Sequence, residues 1–224
     1  MLAALHLEEY RRLHQQMELV ALPRNRILYN VGDPIRSAYF VTRGLITITS
    51  TTETGAQFEV GLVGKEGMIG IPIILNAEKS FYRVFVQVAG VAMKIKAGAF
   101  RKEFQRGGQL RDLMLRYVNT TLIQITQTAI CNRFHTTEER FCRWLLVCRD
   151  RLGSNHIAVT QEFISSMLGV PRTSVTTTAS ALQRGGIISY SRGKIDILDS
   201  EGLQYHSCEC YQVVKKVFQN VVAA

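Results

Sequence analysis

VTQEFISSMLGVPRTSVTTTASALQR, residues 159–184, reads as two short helices joined by a tight turn. Thr160 caps the first helix, its hydroxyl placed to accept a bond from a free first-turn N–H. Ile164, Met167 and Leu168 recur at three- and four-residue spacing and make one buried stripe. Gly169 ends that helix, in a left-handed backbone that is cheap only for glycine. Pro171 suits the first turn of a new helix, where its missing N–H costs nothing. Val175, Ala179 and Leu182 form the inward side of this second helix. Arg172, Thr173, Thr176, Thr177 and Ser180 occupy the outer side, with no large apolar residue and no acid.

One guanidinium among short hydroxyls suits close approach to base edges and phosphates of DNA. Ser174 beside them, with Thr160 and Gln161 at the start of the first helix, completes the candidate contact set on this segment. A helix pair of this kind also occurs on the surface of other all-α domains, so the residues that follow matter. Gly185-Gly186 ends the helix. Residues 187–189, the Arg192-Gly193 turn and residues 194–198 read as a β-hairpin, with Ile195 and Ile197 alternating against Lys194 and Asp196. Such a hairpin is a wing, and Arg192 and Lys194 at its tip can reach phosphates. The run GVPRTSVTTTASALQRGGIISYSRGKIDILD resembles the C-terminal domain of Crp/Fnr-type bacterial transcription regulators. It shares the turn glycine, the early arginine, a leucine three residues before Gly185, and then G-x-I and R-G-x-I-x-I.

The chain has 224 residues, enough for two modest domains. A hydrophobic content of 46% and a charged content of 20% describe an ordinary globular protein. No stretch is long and apolar enough to span a bilayer, and the N-terminus lacks a signal-peptide core, so a cytoplasmic protein with no membrane partner is expected. The net charge of +9 suits a polyanionic partner, yet residues 1–135 hold 17 Lys and Arg against 10 Asp and Glu, while residues 136–224 hold 10 against 8. The excess lies mostly outside the helix pair, so local placement of Arg172, Arg192 and Lys194 carries the argument for DNA.

Residues 1–20 read as a helical lead-in. From Pro23 to Lys96 the pattern changes to short strands punctuated by glycines, at 26–29, 38–41, 45–49, 57–62, 83–88 and 91–95. ILYNVGDPIRSAYFVTRGLITI, followed by GKEGMIGIPIIL, is similar to the cyclic-nucleotide-binding β-roll of the same family. The fold expected is therefore α+β: an antiparallel β-roll over residues 1–107, a dimerisation helix and hinge over 108–135, and a winged helix-turn-helix over 136–224.

In members that bind cyclic AMP, a G-E pair before a short helix and an Arg-Ser pair hold ribose and phosphate. Here Gly70 is followed by Ile71 and Pro72, so the carboxylate is absent, and the Arg-Ser position reads Tyr82-Arg83. Arg83 takes the phosphate role only if the loop shifts by one residue. Cyclic AMP is therefore not the expected ligand, and Ile71, Pro72, Ile73 and Ile74 imply an apolar pocket wall or a filled pocket. The iron–sulfur cluster of Fnr-type oxygen sensors needs N-terminal cysteines, and none precedes Cys131. Haem needs an axial ligand, and His6 and His14 lie in the lead-in without a partner. No cofactor and no metal are expected.

Cys131, Cys142 and Cys148 fall in helical, apolar surroundings, where cysteine is usually a small core residue. Cys208 and Cys210 sit beside His206 in HSCECY, three ligands on a tail segment, for which structural packing is the favoured reading. Residues 109–134 form the connecting helix. Leu115, Val118, Leu122, Ile125 and Ala129 repeat at three and four residues, a seam that a second copy of the same helix would cover. Thr136 to Glu139 resembles a capping box opening the next helix, whose inward face is Phe141, Trp144, Leu145 and Cys148.

The function implied is a homodimeric transcription regulator on a two-fold symmetric operator, with RNA polymerase a further partner if it activates. Arg172 is the expected base contact, to guanine. Cyclic-AMP-binding members carry a glutamate and a second arginine at the places of Thr173 and Thr177, so the operator preference should differ. The alternative is a small-ligand receptor whose DNA-binding domain is secondary or inactive. No Ser/His/Asp set, phosphate-cradling loop or catalytic metal spacing is present, so no enzyme is expected.

Overall fold

Alternation along the first half of the chain closes an antiparallel β-roll, seen in a computed structural model that describes residues 1–55 and 57–222. After a 3-10 turn at Leu2–Ala4 come α1 (Leu7–His14), β1 (Met17–Leu22), β2 (Ile27–Tyr29), β3 (Ser37–Thr51), β4 (Gln57–Val63) and β5 (Met68–Ile69). A short α2 (Ile71–Ile74) precedes β6 (Arg83–Lys96), and α3 (Ala97–Gln105) leads into the long α4 (Gln109–Phe134). The C-terminal part runs α5 (Thr137–Leu152), β7 (His156–Ala158), α6 (Gln161–Leu168), α7 (Arg172–Arg184), β8 (Ile188–Ser191), β9 (Lys194–Ile197), α8 (Ser200–Tyr205) and α9 (Cys210–Val222).

The roll is ordered β1-β6-β3-β4, with β2 on β6 and β5 on β3. Two expectations change here. Residues 17–20 of the expected helical lead-in are not helical: they belong to β1, which pairs with β6 from Met17 opposite Ile95 to Leu22 opposite Gly90. The pairs 38–41 with 45–49, and 83–88 with 91–95, are each one continuous strand rather than two. Glycine makes that continuity possible where the strands cross. Gly44 sits at φ +102°, and a Cβ there would lie 2.7 Å from the Val88 carbonyl oxygen; a Cβ on Gly90 would overlap the Arg43 carbonyl. The register shifts at this point and both strands bend.

Helix α4 buries Leu110, Leu113, Met114 and Tyr117 against the roll. Tyr117 fixes its position, its hydroxyl donating to the Met68 carbonyl and accepting from the Met68 N–H, each at 3.1 Å. The helix ends at His135 in extended backbone, and the capping box then opens α5 as expected. The Thr136 hydroxyl accepts from the Glu139 N–H at 3.3 Å, and the Glu139 carboxylate accepts from the Thr136 N–H at 2.7 Å.

Phe141, Trp144, Leu145 and Cys148 of α5 are buried in one apolar cluster with Ile164, Val175, Ala179, Leu182, Ile188 and Ile195. Leu45 and Leu62 of the roll join the same cluster, so the two parts share packed surface. The hairpin of β8 and β9 gains a third strand, β7, which the sequence does not announce. Helix α9 belongs by sequence to the C-terminal part but packs back on α4, placing Val214, Phe218 and Val221 in the core of the roll.

Candidate nucleic-acid interface

The helix pair forms as its local chemistry dictates. The Thr160 hydroxyl accepts from the Phe163 N–H at 3.2 Å. Gly169 closes α6 in the left-handed region at φ 62°. Pro171 stands one residue earlier than expected, as the cap of α7 rather than in its first turn. It offers no side-chain acceptor; the Ser174 N–H donates to the Pro171 carbonyl at 3.0 Å, and the Arg172 and Thr173 N–H groups stand at the positive end of the α7 dipole.

Buried Val175, Ala179 and Leu182 turn the opposite face of α7 outward. Arg172, Thr173, Thr176, Thr177 and Ser180 are exposed on it and Ser174 is half-buried at its margin. The Thr176 hydroxyl lies 2.8 Å from the Gln161 side-chain oxygen and 3.0 Å from the Arg172 carbonyl. Gln161 is thereby held over the recognition face, and the Thr176 hydroxyl proton is engaged within the protein.

The wing is tied to this unit rather than loose. Its turn uses positive φ at Arg192 (29°) and Gly193 (80°), the backbone a two-residue hairpin demands. The Val159 N–H donates to the Gly193 carbonyl at 2.8 Å, and the Tyr190 N–H donates to the Gln183 side-chain oxygen at 2.7 Å. Arg192 and Lys194 are exposed at the tip. Three cations, Arg172, Arg192 and Lys194, and a row of hydroxyls therefore lie exposed on one hydrogen-bonded winged unit.

A cavity of about 400 Å³ opens between the roll and α4. Gly70, Ile71, Pro72 and Tyr82 line it, together with Tyr117, Leu122 and Ile125 of α4. Ile73 lies fully buried beneath rather than on the wall. Arg83 points elsewhere: its guanidinium stands 5.8 Å from the Phe85 ring and borders a groove against Thr160 and Phe163 of α6. No charged side chain lines the cavity among the described residues.

The proposed seam divides the α4 surface. Leu115, Leu122 and Ile125 are 46%, 58% and 39% exposed, Ala129 is exposed and Val118 half-buried. Leu115 and Ala129 point to solvent, Leu122 and Ile125 border the cavity between α4 and the roll, and Val118 packs against the roll's core. Contacts at the junction of the two parts were not legible in the sequence, among them the edge-to-face pair of Phe85 and Phe163 with centroids 6.1 Å apart. Neither phenylalanine stands out by spacing, because the pair forms only on docking.

Residues 139–205 match the Crp-like helix-turn-helix domain, and residues 19–106 match the cyclic nucleotide-binding domain. The chain is 22% identical over 184 residues to the global nitrogen regulator of Nostoc sp., covering 78% of this chain and 82% of that one. It is 20% identical over 186 residues to the corresponding regulator of Synechocystis sp., covering 78% and 81%. Its fold resembles that of FixK2 from Bradyrhizobium japonicum, with a TM-score of 0.74 at 15% identity over 86% of this chain and 98% of that one. It also resembles the c-di-GMP-responsive global regulator CLP of Xanthomonas campestris, with a TM-score of 0.70, 15% identity, and coverage of 86% and 99%.

Proposed function

The chain belongs to the Crp/Fnr family of transcription regulators, and from that premise we propose that two copies, paired through α4, read a two-fold symmetric operator with α7 in the major groove. The observation that carries this reading is the acid-free, exposed face of α7, with Arg172 as its first helical residue. Arg172 contacts a guanine, whose two acceptors match the guanidinium fork. Thr173, Thr177 and Ser180 add hydroxyl and methyl contacts. Thr176 contributes its methyl, its hydroxyl proton being engaged by Gln161 and the Arg172 carbonyl. Thr160, Gln161, Ser174, Arg192 and Lys194 set the register against phosphates.

Dimer formation is supported by the apolar seam that α4 leaves uncovered. A second α4 would cover Leu115, Leu122 and Ile125, and would close the cavity that Leu122 and Ile125 border. The bound dimer would act in the cytoplasm, through RNA polymerase where the operator position favours activation. No helix among the described residues is long and apolar enough to cross a membrane.

The effector fitting the cavity is uncharged and mainly apolar. A cyclic phosphate buried there would meet no cation, and an unpaired buried charge is costly. Cyclic AMP is therefore not assigned, and the c-di-GMP response of the Xanthomonas neighbour is not carried over. Hydroxyl-radical footprinting on duplexes recovered from a random pool tests the dimeric reading. Protection of two patches one helical turn apart, about 34–36 Å, is expected. One isolated patch would overturn it.

A further inference from the structure

Three of the five cysteines converge where α4 ends. Cys131, His135, Cys208 and Cys210 bring their ligand atoms within 4.8 Å of one another. The Cys131 and Cys208 sulfurs stand 3.5 Å apart, and His135 Nδ1 stands 3.5 Å from the Cys210 sulfur. The three thiols are buried and form a cluster of their own. His206, the imidazole nearest the tail cysteines in sequence, is not part of it and bonds Glu138 at 2.8 Å.

We propose that Cys131, His135, Cys208 and Cys210 bind one zinc-class divalent ion, which pins the hinge end of α4 to the C-terminal helices. The spacing follows from the chain. Cys131 and His135 are four residues apart and share a face at the end of α4. Cys210 opens α9, and Cys208 precedes it by two. A tetrahedral ion with bonds of about 2.3 Å to sulfur and 2.0–2.1 Å to nitrogen has edges of about 3.5–3.8 Å. Two of the separations already match, and rotation of side chains closes the rest. A cluster of several irons would hold its ligands further apart.

The surroundings are those of a ligand set rather than of core packing. Glu209 lies 3.2 Å from His135 Nε2, which leaves Nδ1 to face the sulfurs, the carboxylate–histidine–metal arrangement. The Gln127 amide donates to the Cys210 sulfur at 3.1 Å. Arg143 is buried nearby with its Nε unpartnered. On binding, each of the three thiols releases its proton to solvent while the imidazole stays neutral. Three thiolates and one dication leave a single negative charge, which Arg143 offsets. Three thiolates with one imidazole select zinc among the available divalent ions. Cys142 and Cys148, buried on α5, lie outside this set and act as core residues.

The test is metal analysis of the reduced full chain after zinc loading and desalting, followed by cobalt substitution. One ion per chain and a thiolate-to-cobalt charge-transfer band with tetrahedral visible bands are expected. Cys208→Ser and Cys210→Ser should each abolish the band, while Cys142→Ser keeps it. Glu209→Gln should keep the stoichiometry but weaken zinc about 10–100-fold against a chromophoric chelator. Retention of less than a tenth of an ion per chain would overturn the proposal. So would equal metal loss in Cys142→Ser, or recovery of Cys131 and Cys208 as a disulfide without metal.

Discussion

The indole N–H of Trp144, on α5, donates to the Glu59 carboxylate of β4 at 3.0 Å across the junction of the two parts. Burial raises the Glu59 carboxyl from its usual 4.5 to about 7, and the Trp144 hydrogen bond with the Arg143 and Arg151 charges only partly opposes this. The folded protein therefore holds a proton on Glu59 that the unfolded chain releases above about pH 4.5. Stability from this group is present at low pH and is lost as pH rises towards 7. Thermal melting of the wild type should fall by several degrees between pH 5 and pH 8, and Glu59→Gln should flatten that slope. An unchanged slope in the variant would show that Glu59 is not the group responsible.

Arg172→Ala should weaken specific DNA binding by about 1–3 kcal/mol and relax discrimination at one position in each half-site. Lys194→Ala should instead weaken all sequences alike and reduce the salt dependence of binding by about one counterion. Competition binding against single-base operator variants separates the two patterns. Full base preference in Arg172→Ala would remove Arg172 from the recognition role.

Leu122 is 58% exposed where it borders the cavity mouth, so a charge there can reach solvent and costs the single chain little. In a dimer the same charge would be buried without a partner. Leu122→Arg should be folded by circular dichroism and monomeric by sedimentation equilibrium, with operator affinity lost. A variant that remains dimeric would place the interface elsewhere.

Gly90→Ala should destabilise the roll by about 2 kcal/mol or more, since its Cβ overlaps the Arg43 carbonyl and neither strand can give way. Gly98→Ala is the matched comparison. Gly98 lies on α3 with nothing near its missing Cβ, and alanine there should stabilise by about 0.5–1 kcal/mol. Urea titration of the two variants reads both signs.

What could be read from the residues was what short-range chemistry determines. Thr160, Gly169 and the Val175, Ala179, Leu182 stripe act within one or two turns of chain, and each is found where its spacing implies. Strand β1 escaped because MELVAL continues a helical stripe, and only its partner β6 makes it a strand. Strand β7 is three residues long and exists through its pairing with β9. Arg83 was one residue from a phosphate role by spacing, but strand geometry sends it to the other face, over Phe85. The cysteine and histidine cluster joins two half-motifs far apart in sequence, C-x-x-x-H and C-x-C, and neither is specific alone.

Selection of bound duplexes from a random DNA pool by the purified chain, run with and without cell extract as a ligand source, tests the central claim most directly. A motif with two-fold symmetry and half-sites one helical turn apart is predicted. No enrichment under either condition, or a motif without two-fold symmetry, would contradict paired reading of DNA by α7.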